Sequence, residues 1–334
     1  MLRRILVGFL SGLGILLLVI DAKTGFTGAK EGIDLCLATV IPSLFPFFVL
    51  TGLLTSVLAG IPAGPLKLIG RFCRLPEGAE ALLIIGLLGG YPAGAQIIGQ
   101  AYRSGIVGKK QARRLIGFCN NPGPAFLFGI YGQLFPVRWM VWALWGQLIL
   151  SAMLTARITE THESCAKTLQ AQSVITMPQA MVTALRSTAI VCGWVILFRI
   201  LIAYLDLYFL YGTNSVWKSL FCGLLELTNG CYMLGEVSTD SARFLLAGLT
   251  LTFGGVCVCM QTASVIGDLG TLHYLRGKLI QTCVSMLLSL PLVAGISGIL
   301  PVPAIVFLFL SIVVMMAIIT KSKNSSRNSC PVGV

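Results

Sequence analysis

The chain consists of long apolar runs separated by short polar segments. Several of the runs are continuously apolar over about 20 residues, the length of helix that crosses a ~30 Å hydrocarbon core. They do not alternate with a period of two, as the strands of a membrane β-barrel would. Helices are the usual spanning element because each one satisfies its own backbone hydrogen bonds. The pattern therefore predicts an all-α polytopic membrane protein.

About eight of the runs are predicted to be transmembrane helices. They are Ile5–Ile20, Ile33–Leu58, Leu115–Phe135, Trp139–Ala156, a run that ends near Tyr211, Arg243–Leu269, Leu279–Gly298 and Pro303–Thr320.

Two further runs are interrupted and predict re-entrant hairpins. Ala79–Tyr102 is broken at Gly89–Gly94, and Ser219–Glu236 is broken around Thr228–Gly230. The halves on either side of each break are too short to cross the bilayer, so we expect both hairpin tips to lie at membrane depth.

The two hairpins belong to segments that resemble each other. Gly86-Leu87-Leu88 and Gly223-Leu224-Leu225 open the hairpins, and the next run is broken in both halves, at Asn120-Asn121 and at Gly254-Gly255. Duplicated, interrupted segments of opposite topology are typical of secondary transporters that work by alternating access. The pattern predicts two inverted repeats, with the binding site where the breaks meet.

This organisation divides the chain into six predicted segments. They are an N-terminal anchor helix and loop (1–28), a first repeat (29–156) with its hairpin at 79–102, a polar linker (157–177), a second repeat (178–275) with its hairpin at 219–236, two C-terminal transmembrane helices (276–320) and a polar tail (321–334).

Charge sets the predicted orientation. Only 11% of the residues are charged, and the net charge is +12. Most basic residues lie in short segments between apolar runs, with the densest cluster at Arg103–Arg114, and the positive-inside rule places such segments in the cytoplasm. We therefore expect a multi-pass protein of the cell (inner) membrane with both termini cytoplasmic, and we interpret Lys278 as one of these topology signals. The bilayer, rather than nucleic acid, is the expected partner.

The candidate binding residues are the polar groups and backbone breaks within the apolar runs. Intramembrane polar groups are costly and usually functional. The predicted substrate-binding set is Ser43, Gly90, Tyr91, Pro92, Gly94, Asn120, Asn121, Gly123, Arg199, Glu226, Thr228, Asn229, Gly230, Gly254, Gly255 and Gln261. Arg199 is the expected fixed positive charge for an anion, and the alternative is a structural ion pair between Arg199 and Glu226.

No pattern of catalytic residues favours an enzyme. The two histidines, His162 and His273, lie in loops outside any HExxH-type motif, and the chain has no P-loop and no GxSxG elbow. The cysteines show no metal-ligand spacing. We therefore predict a protein without catalytic activity, cofactor or metal.

Three phrases in the first half resemble a known family. They are Ile41-Pro42-Ser43-Leu44-Phe45-Pro46-Phe47-Phe48, Gly90-Tyr91-Pro92-Ala93-Gly94-Ala95 and Phe118-Cys119-Asn120-Asn121-Pro122-Gly123-Pro124. Together with Leu225-Glu226-Leu227-Thr228-Asn229-Gly230 and Phe253-Gly254-Gly255 in the second half, they resemble the YlbJ-like sporulation integral membrane proteins, which belong with the nucleoside-recognition, or Gate, domain group.

The resemblance implies a permease of endospore-forming bacteria. It implies movement of a small organic anion, dipicolinate, from the mother cell toward the forespore, with the protein in the outer forespore membrane during sporulation. The alternatives are a transporter of nucleosides or other small metabolites, and a membrane scaffold or sensor that transports nothing. The oligomeric state stays open, with a homo-oligomer as one alternative.

Overall fold

A computed structural model describes residues 2–58, 66–75, 79–103, 107–159 and 175–298, together with Gly64 and Gly105. Within these residues the chain is helical and no strand is present. The prediction of an all-α membrane protein is confirmed. The predicted span Pro303–Thr320, the tail 321–334 and most of the predicted linker lie outside the described residues.

Fifteen α-helices follow one another along the described chain. They are α1 (Leu2–Ile20), α2 (Ala22–Leu35), α3 (Ile41–Leu58), α4 (Leu66–Cys73), α5 (Ala79–Gly89), α6 (Ala93–Arg103), α7 (Lys109–Cys119), α8 (Pro124–Gly129), α9 (Arg138–Ile158), α10 (Met177–Leu205), α11 (Ser215–Leu225), α12 (Leu227–Leu234), α13 (Asp240–Phe253), α14 (Gly255–Ile266) and α15 (Thr271–Ile296). A π-helical turn, Cys36–Val40, joins α2 to α3, and a second one, Asp206–Leu210, extends α10.

Five stretches are long and apolar enough to cross a membrane. They are Ala22–Leu54, Arg138–Ile158, Met177–Leu210, Asp240–Leu269 and Thr271–Ile296. The predicted first span contributes a shorter apolar helix, Val7–Ile20. The predicted span Leu115–Phe135 is divided at its predicted break into two helices, α7 and α8, because the chain is extended at Asn120 and Gly123.

The predicted loop before Ile33 is wrong, since α2 is helical from Ala22. The Asp21 side chain caps the helix by accepting a hydrogen bond from the Thr24 N–H. Gly28 and Gly32 form a GxxxG face against α10, where a Cβ atom would lie 3.0 Å from Ile200 Cα and 2.9 Å from Ile196 Cα respectively. Small residues at this spacing let two helix backbones approach closely, so the packing accommodates a helix whose other face is charged.

The helices form two sets with the same order of elements. The first set is a long helix (α2–α3), a hairpin (α5–α6), a broken helix (α7–α8) and a final helix (α9). The second set is α10, the hairpin α11–α12, the broken helix α13–α14 and α15, and this last helix crosses the predicted segment boundary at residue 275. The equivalent long helices pack antiparallel, because Gly28 contacts Ala203 while Gly32 contacts Ile196. Antiparallel equivalents are what an inverted repeat produces.

The two hairpins enter the bundle from opposite ends. At the first end Arg114 donates to the Cys73 and Ala156 carbonyls, and Arg103 donates to the Val265 carbonyl. This basic end holds the start of α5 and the end of α6. At the other end Arg243 donates to the Leu134 carbonyl, beside the end of α12. The tips therefore meet inside the bundle from opposite directions.

Candidate functional site

The first hairpin packs directly on the first helix break. A Cβ atom at Gly94 would lie 3.0 Å from Asn120 Cα, and one at Gly90 would lie 3.0 Å from the Gly123 nitrogen. Gly90 also has φ +75°, which favours glycine. The turn Gly90-Tyr91-Pro92, with its cis Tyr91–Pro92 peptide bond, therefore lies against the backbone at Asn120–Gly123.

The second hairpin packs on the second break in the same way. Gly223 and Gly230 face each other where α11 crosses α12. A Cβ atom at Gly255 would lie 3.0 Å from the Gly223 carbonyl oxygen. Gly254 and Gly255 both have positive φ, +84° and +80°, so the chain turns sharply between α13 and α14 without a polar side chain.

Side chains connect the two halves across this centre. The Tyr91 hydroxyl donates to the carbonyls of Leu251 and Thr252, at 3.2 and 3.4 Å, in the last turn of α13. The Asn120 amide accepts from the Ala95 N–H at 3.2 Å and donates to the Thr262 hydroxyl at 2.9 Å. Each interrupted segment of one half therefore has a hydrogen-bond partner in the other half or in its own hairpin, as buried polar groups require.

A small cavity of about 40 Å³ lies where the four interruptions meet. Both hairpin tips and both broken helices line it. Its walls come from Val40, Leu44, Tyr91, Pro122, Gly123, Phe126, Val191, Val195, Glu226, Leu227, Thr228, Val258 and Gln261. Of the predicted substrate-binding residues, Tyr91, Gly123, Glu226, Thr228 and Gln261 line this cavity. Gly90, Gly94, Gly230, Gly254 and Gly255 form close contacts at the hairpins and helix breaks around it.

Glu226 lies at the tip of the second hairpin. It is the N-cap of α12, and its carboxylate accepts from the Thr228 N–H at 3.0 Å and from the Asn229 N–H at 2.7 Å. The Asn229 side-chain amide donates to the same carboxylate at 2.8 Å. A helix N-terminus stabilises a negative group, and here the protein supplies that group itself. Gly230, one turn along α12, provides the close contact to α11.

Lys278 is the buried cation of the site, and its interpretation as a cytoplasmic topology signal is wrong. The side chain is fully buried in α15. Its Nζ donates to Asn121 Oδ1 at 3.0 Å and to Gln281 Oε1 at 2.9 Å, and lies 5.2 Å from the centroid of the Tyr91 ring. Among the described residues no carboxylate pairs with it. Intramembrane cations that face the bundle interior mark functional positions.

A repeated motif surrounds Lys278 and relates the two halves. Gln147, Ser151 and Thr155 follow one another at four-residue spacing in α9, and Gln281, Ser285 and Ser289 do so in α15. Gln147 Nε2 donates to Ser285 Oγ at 2.7 Å, and Gln281 Nε2 points to Ser151 Oγ at 3.4 Å. This reciprocal exchange is the contact that a two-fold relation generates. This contact is not among the predicted features, although the shared Gln-x3-Ser-x3-Ser/Thr spacing in the sequence indicates it.

Arg199 does not belong to the cavity, and the predicted Arg199–Glu226 pair is not formed. The Arg199 guanidinium donates to the Glu31 carboxylate, with Nε at 3.0 Å from Oε2. Glu31 lies on α2, the helix that was predicted as a loop, and its side chain is 47% exposed. The pair therefore joins α2 to α10 on the outside of the bundle.

Ser43 is also outside the cavity lining. Its hydroxyl donates to the carbonyl of Thr39 at 2.6 Å and to that of Val40 at 3.2 Å, at the π-helical turn. Hydroxyls that bond the preceding turn satisfy carbonyls within their own helix. The role that this geometry gives Ser43 is to support the turn that places Val40 and Leu44 in the cavity wall.

A comparison with known proteins finds one relative that bears on the family. The chain is 23% identical over 301 residues to the sporulation integral membrane protein YlbJ of Bacillus subtilis (strain 168), and the match covers 74% of this chain and 71% of the relative. No protein-family model and no solved structure matches the chain. Membership of the Gate group stays a prediction. The chain is therefore a distant homologue of the YlbJ-like sporulation integral membrane proteins, the family that its motifs resemble.

Proposed function

We propose that the chain is a permease that moves a small organic anion across the membrane by alternating access between its two sets of helices. The observation that supports this most is the convergence of two oppositely inserted hairpin tips and two helix breaks on one buried cavity. Interrupted helices at the centre of duplicated halves are the usual construction of a transporter binding site. Dipicolinate is the leading substrate, because the family resemblance implies it, and the outer forespore membrane is the proposed location.

The cavity is small in this conformation. A volume of about 40 Å³ has room for only a few water molecules, since a single water needs roughly 10–15 Å³. A planar dicarboxylate needs more room, so the hairpin tips must separate from the opposite helix break when substrate enters. Tyr91 lies on that boundary, since its hydroxyl bonds the end of α13 while its ring contacts the cavity.

Lys278 supplies the positive charge that an anionic substrate requires. Its ammonium group has three donors, and the two described hydrogen bonds go to neutral amide oxygens. Because Tyr91 lies between Lys278 and the cavity, a movement of this ring would let a carboxylate reach the ammonium. This assignment replaces Arg199, whose charge is neutralised by Glu31.

A second candidate is a transporter of nucleosides or similar neutral metabolites. The observation that favours it is the carboxylate of Glu226 in the cavity wall, next to Gln261 and Thr228. Such groups hydrogen-bond a neutral polar solute and repel an anion. The aromatic ring of Tyr91 would stack on a planar base.

The proposal is tested in the native host. We expect deletion of the gene to lower the dipicolinate content of the spores, and expression of the wild-type chain to restore it. Lys278→Met should fail to restore the content, whereas Arg199→Gln should restore it. A normal dipicolinate content in spores of the deletion strain would contradict the proposal that dipicolinate is the substrate. If sporulation were impaired while the dipicolinate content stayed normal, a scaffold or sensor would be favoured.

A further inference from the structure

A second pocket lies at the basic end of the bundle, between the first turns of α7 and α15 and the end of α9. Its volume is about 370 Å³. Four of its lining residues are Lys or Arg, a fifth is a histidine, and none is acidic. The lining consists of Lys110, Arg113, Arg114, Gly117, Thr159, His273, Arg276, Gly277 and Ile280.

Two of the guanidinium groups around this pocket donate hydrogen bonds to backbone carbonyls. Arg113 Nε donates to the Leu269 carbonyl at 2.9 Å, and Arg114 donates to the Cys73 carbonyl at 2.8 Å. Backbone carbonyls fix a guanidinium without cancelling its charge. Arg276 is exposed and forms no hydrogen bond or ion pair with a described residue. Asp268, on the turn before α15, lies outside the lining.

The floor of the pocket is closed by two glycines. α7 and α15 touch at Gly117 and Gly277, where a Cβ atom at Gly117 would lie 2.9 Å from Gly277 Cα. Ile280 adds an apolar wall. Asn121 and Lys278 are not part of its lining, and the pocket shares no lining residue with the central cavity.

We propose that this pocket is a binding site for an anionic group, a phosphate or a carboxylate. The shape favours the group as the charged end of a larger molecule, because the basic rim surrounds an apolar floor. Two sources carry this chemistry: the headgroup of an anionic phospholipid, for which basic pockets between transmembrane helices are suited, and a free organic anion at the membrane surface. The site does not depend on the proposed transport activity, and its test uses no transport measurement.

The test compares two charge-matched variants of the purified full-length protein in detergent. Lys110→Gln/Arg276→Gln removes two charges from the pocket rim. Arg138→Gln/Arg186→Gln removes two exposed charges elsewhere. All four side chains are exposed, so both variants should unfold at the temperature of the wild type when no ligand is added.

One arm measures retention of phosphatidylglycerol against phosphatidylcholine by native mass spectrometry. The other measures the shift in unfolding temperature with inorganic phosphate or dipicolinate. We expect the anion affinity of the pocket variant to fall by about tenfold or more, at ~1 kcal/mol per basic residue, with the control unchanged. If the pocket variant retains less phosphatidylglycerol, the ligand is a phospholipid. If it loses the shift in unfolding temperature with phosphate or dipicolinate, the ligand is a free anion. Equal binding by both variants and the wild type, or no anion binding at all, would overturn the proposal.

Discussion

The first helix break is held by side chains, whereas the second is held by glycine backbone. Asn120 bonds the first hairpin and Thr262, and Asn121 accepts from Lys278 and Gln281. The equivalent break at Gly254-Gly255 consists of glycines, which have no side chain for a hydrogen bond. There the Tyr91 hydroxyl of the other half donates to the backbone carbonyls of Leu251 and Thr252, just before the break. The two breaks have the same place in the fold and opposite chemistry.

The final helices differ in the same way. In α9 the residue three positions before Gln147 is Leu144, whereas in α15 the residue three positions before Gln281 is Lys278, and both side chains are buried. The paired Gln and Ser residues belong to the duplicated scaffold, and the charge does not. The residues that the two halves share therefore form the architecture, whereas residues that differ between the halves, such as Lys278, form the proposed site.

The largest loss of stability is expected at Gly86, where the packing of the first hairpin leaves no space for a side chain. A Cβ atom at Gly86 would overlap the Cys119 carbonyl, and backbone cannot move aside as a side chain can. Gly86→Ala should cost about 3 kcal/mol or more, so that little folded protein is recovered from membranes. Gly146→Ala is the control, because a Cβ atom there meets nothing within 4 Å. Equal yields of monodisperse protein from both variants would contradict the packing of this hairpin.

The paired glutamines should differ although their motifs match. Gln281→Leu removes one of the two acceptors of Lys278 and a donor to Asn121, and we expect a loss of about 3 kcal/mol because a charged partner is involved. Gln147→Leu should cost about 1 kcal/mol, since Ser289 can still bond the Ser285 carbonyl. Thermal unfolding in detergent measures both. A larger loss for Gln147→Leu would show that the symmetric contacts matter more than the charge.

Loss of the side-chain hydrogen bonds at the two helix breaks should lower the stability of the protein by different amounts. Asn120→Ala removes a donor and an acceptor that cross to two segments, and we expect a loss of about 2 kcal/mol. Tyr91→Phe removes one hydroxyl with two long hydrogen bonds and should cost about 1 kcal/mol. Tyr232→Phe is the control, because Tyr232 is 69% exposed. A lower unfolding temperature for Tyr91→Phe than for Asn120→Ala would refute the claim that side chains hold the first break more strongly than the second.

The smallest effect is expected at Arg199. Its partner Glu31 is 47% exposed, and exposed ion pairs contribute about 0–1 kcal/mol. Arg199→Gln should therefore leave the unfolding temperature almost unchanged, as measured beside wild type in the same detergent. A loss as large as that of Gln281→Leu would mean that this pair holds α2 against α10.

The sequence predicted the interruptions well and the partners of the charged residues poorly. Gly90–Gly94, Asn120–Gly123 and Gly254-Gly255 stand out because glycine and amides are unusual inside apolar runs. Their convergence follows from the depth at which each break lies. Apolar periodicity in a membrane helix does not distinguish the lipid face from the interior, so it could not show that Arg199 points outward.

Two errors have the same physical origin. Lys23, Lys30 and Glu31 suggested a loop, but the GxxxG face of α2 packs on α10, the two lysines are exposed, and Glu31 pairs with Arg199. Lys278 suggested a topology signal because it follows Arg276 closely. In both cases a helix separates neighbouring residues onto different faces, and only the partner helix decides which charge is buried.

Uptake of dipicolinate into proteoliposomes that contain the purified protein tests the central claim most directly. We expect saturable uptake by the wild type, uptake at least about tenfold slower with Lys278→Met, and partial recovery with Lys278→Arg, because a buried cation that contacts an anion contributes at least ~1.4 kcal/mol. Arg199→Gln, the matched loss of an outward-facing charge, should transport within about twofold of wild type. Wild-type uptake by a correctly inserted Lys278→Met protein, or loss of uptake with Arg199→Gln alone, would contradict the account.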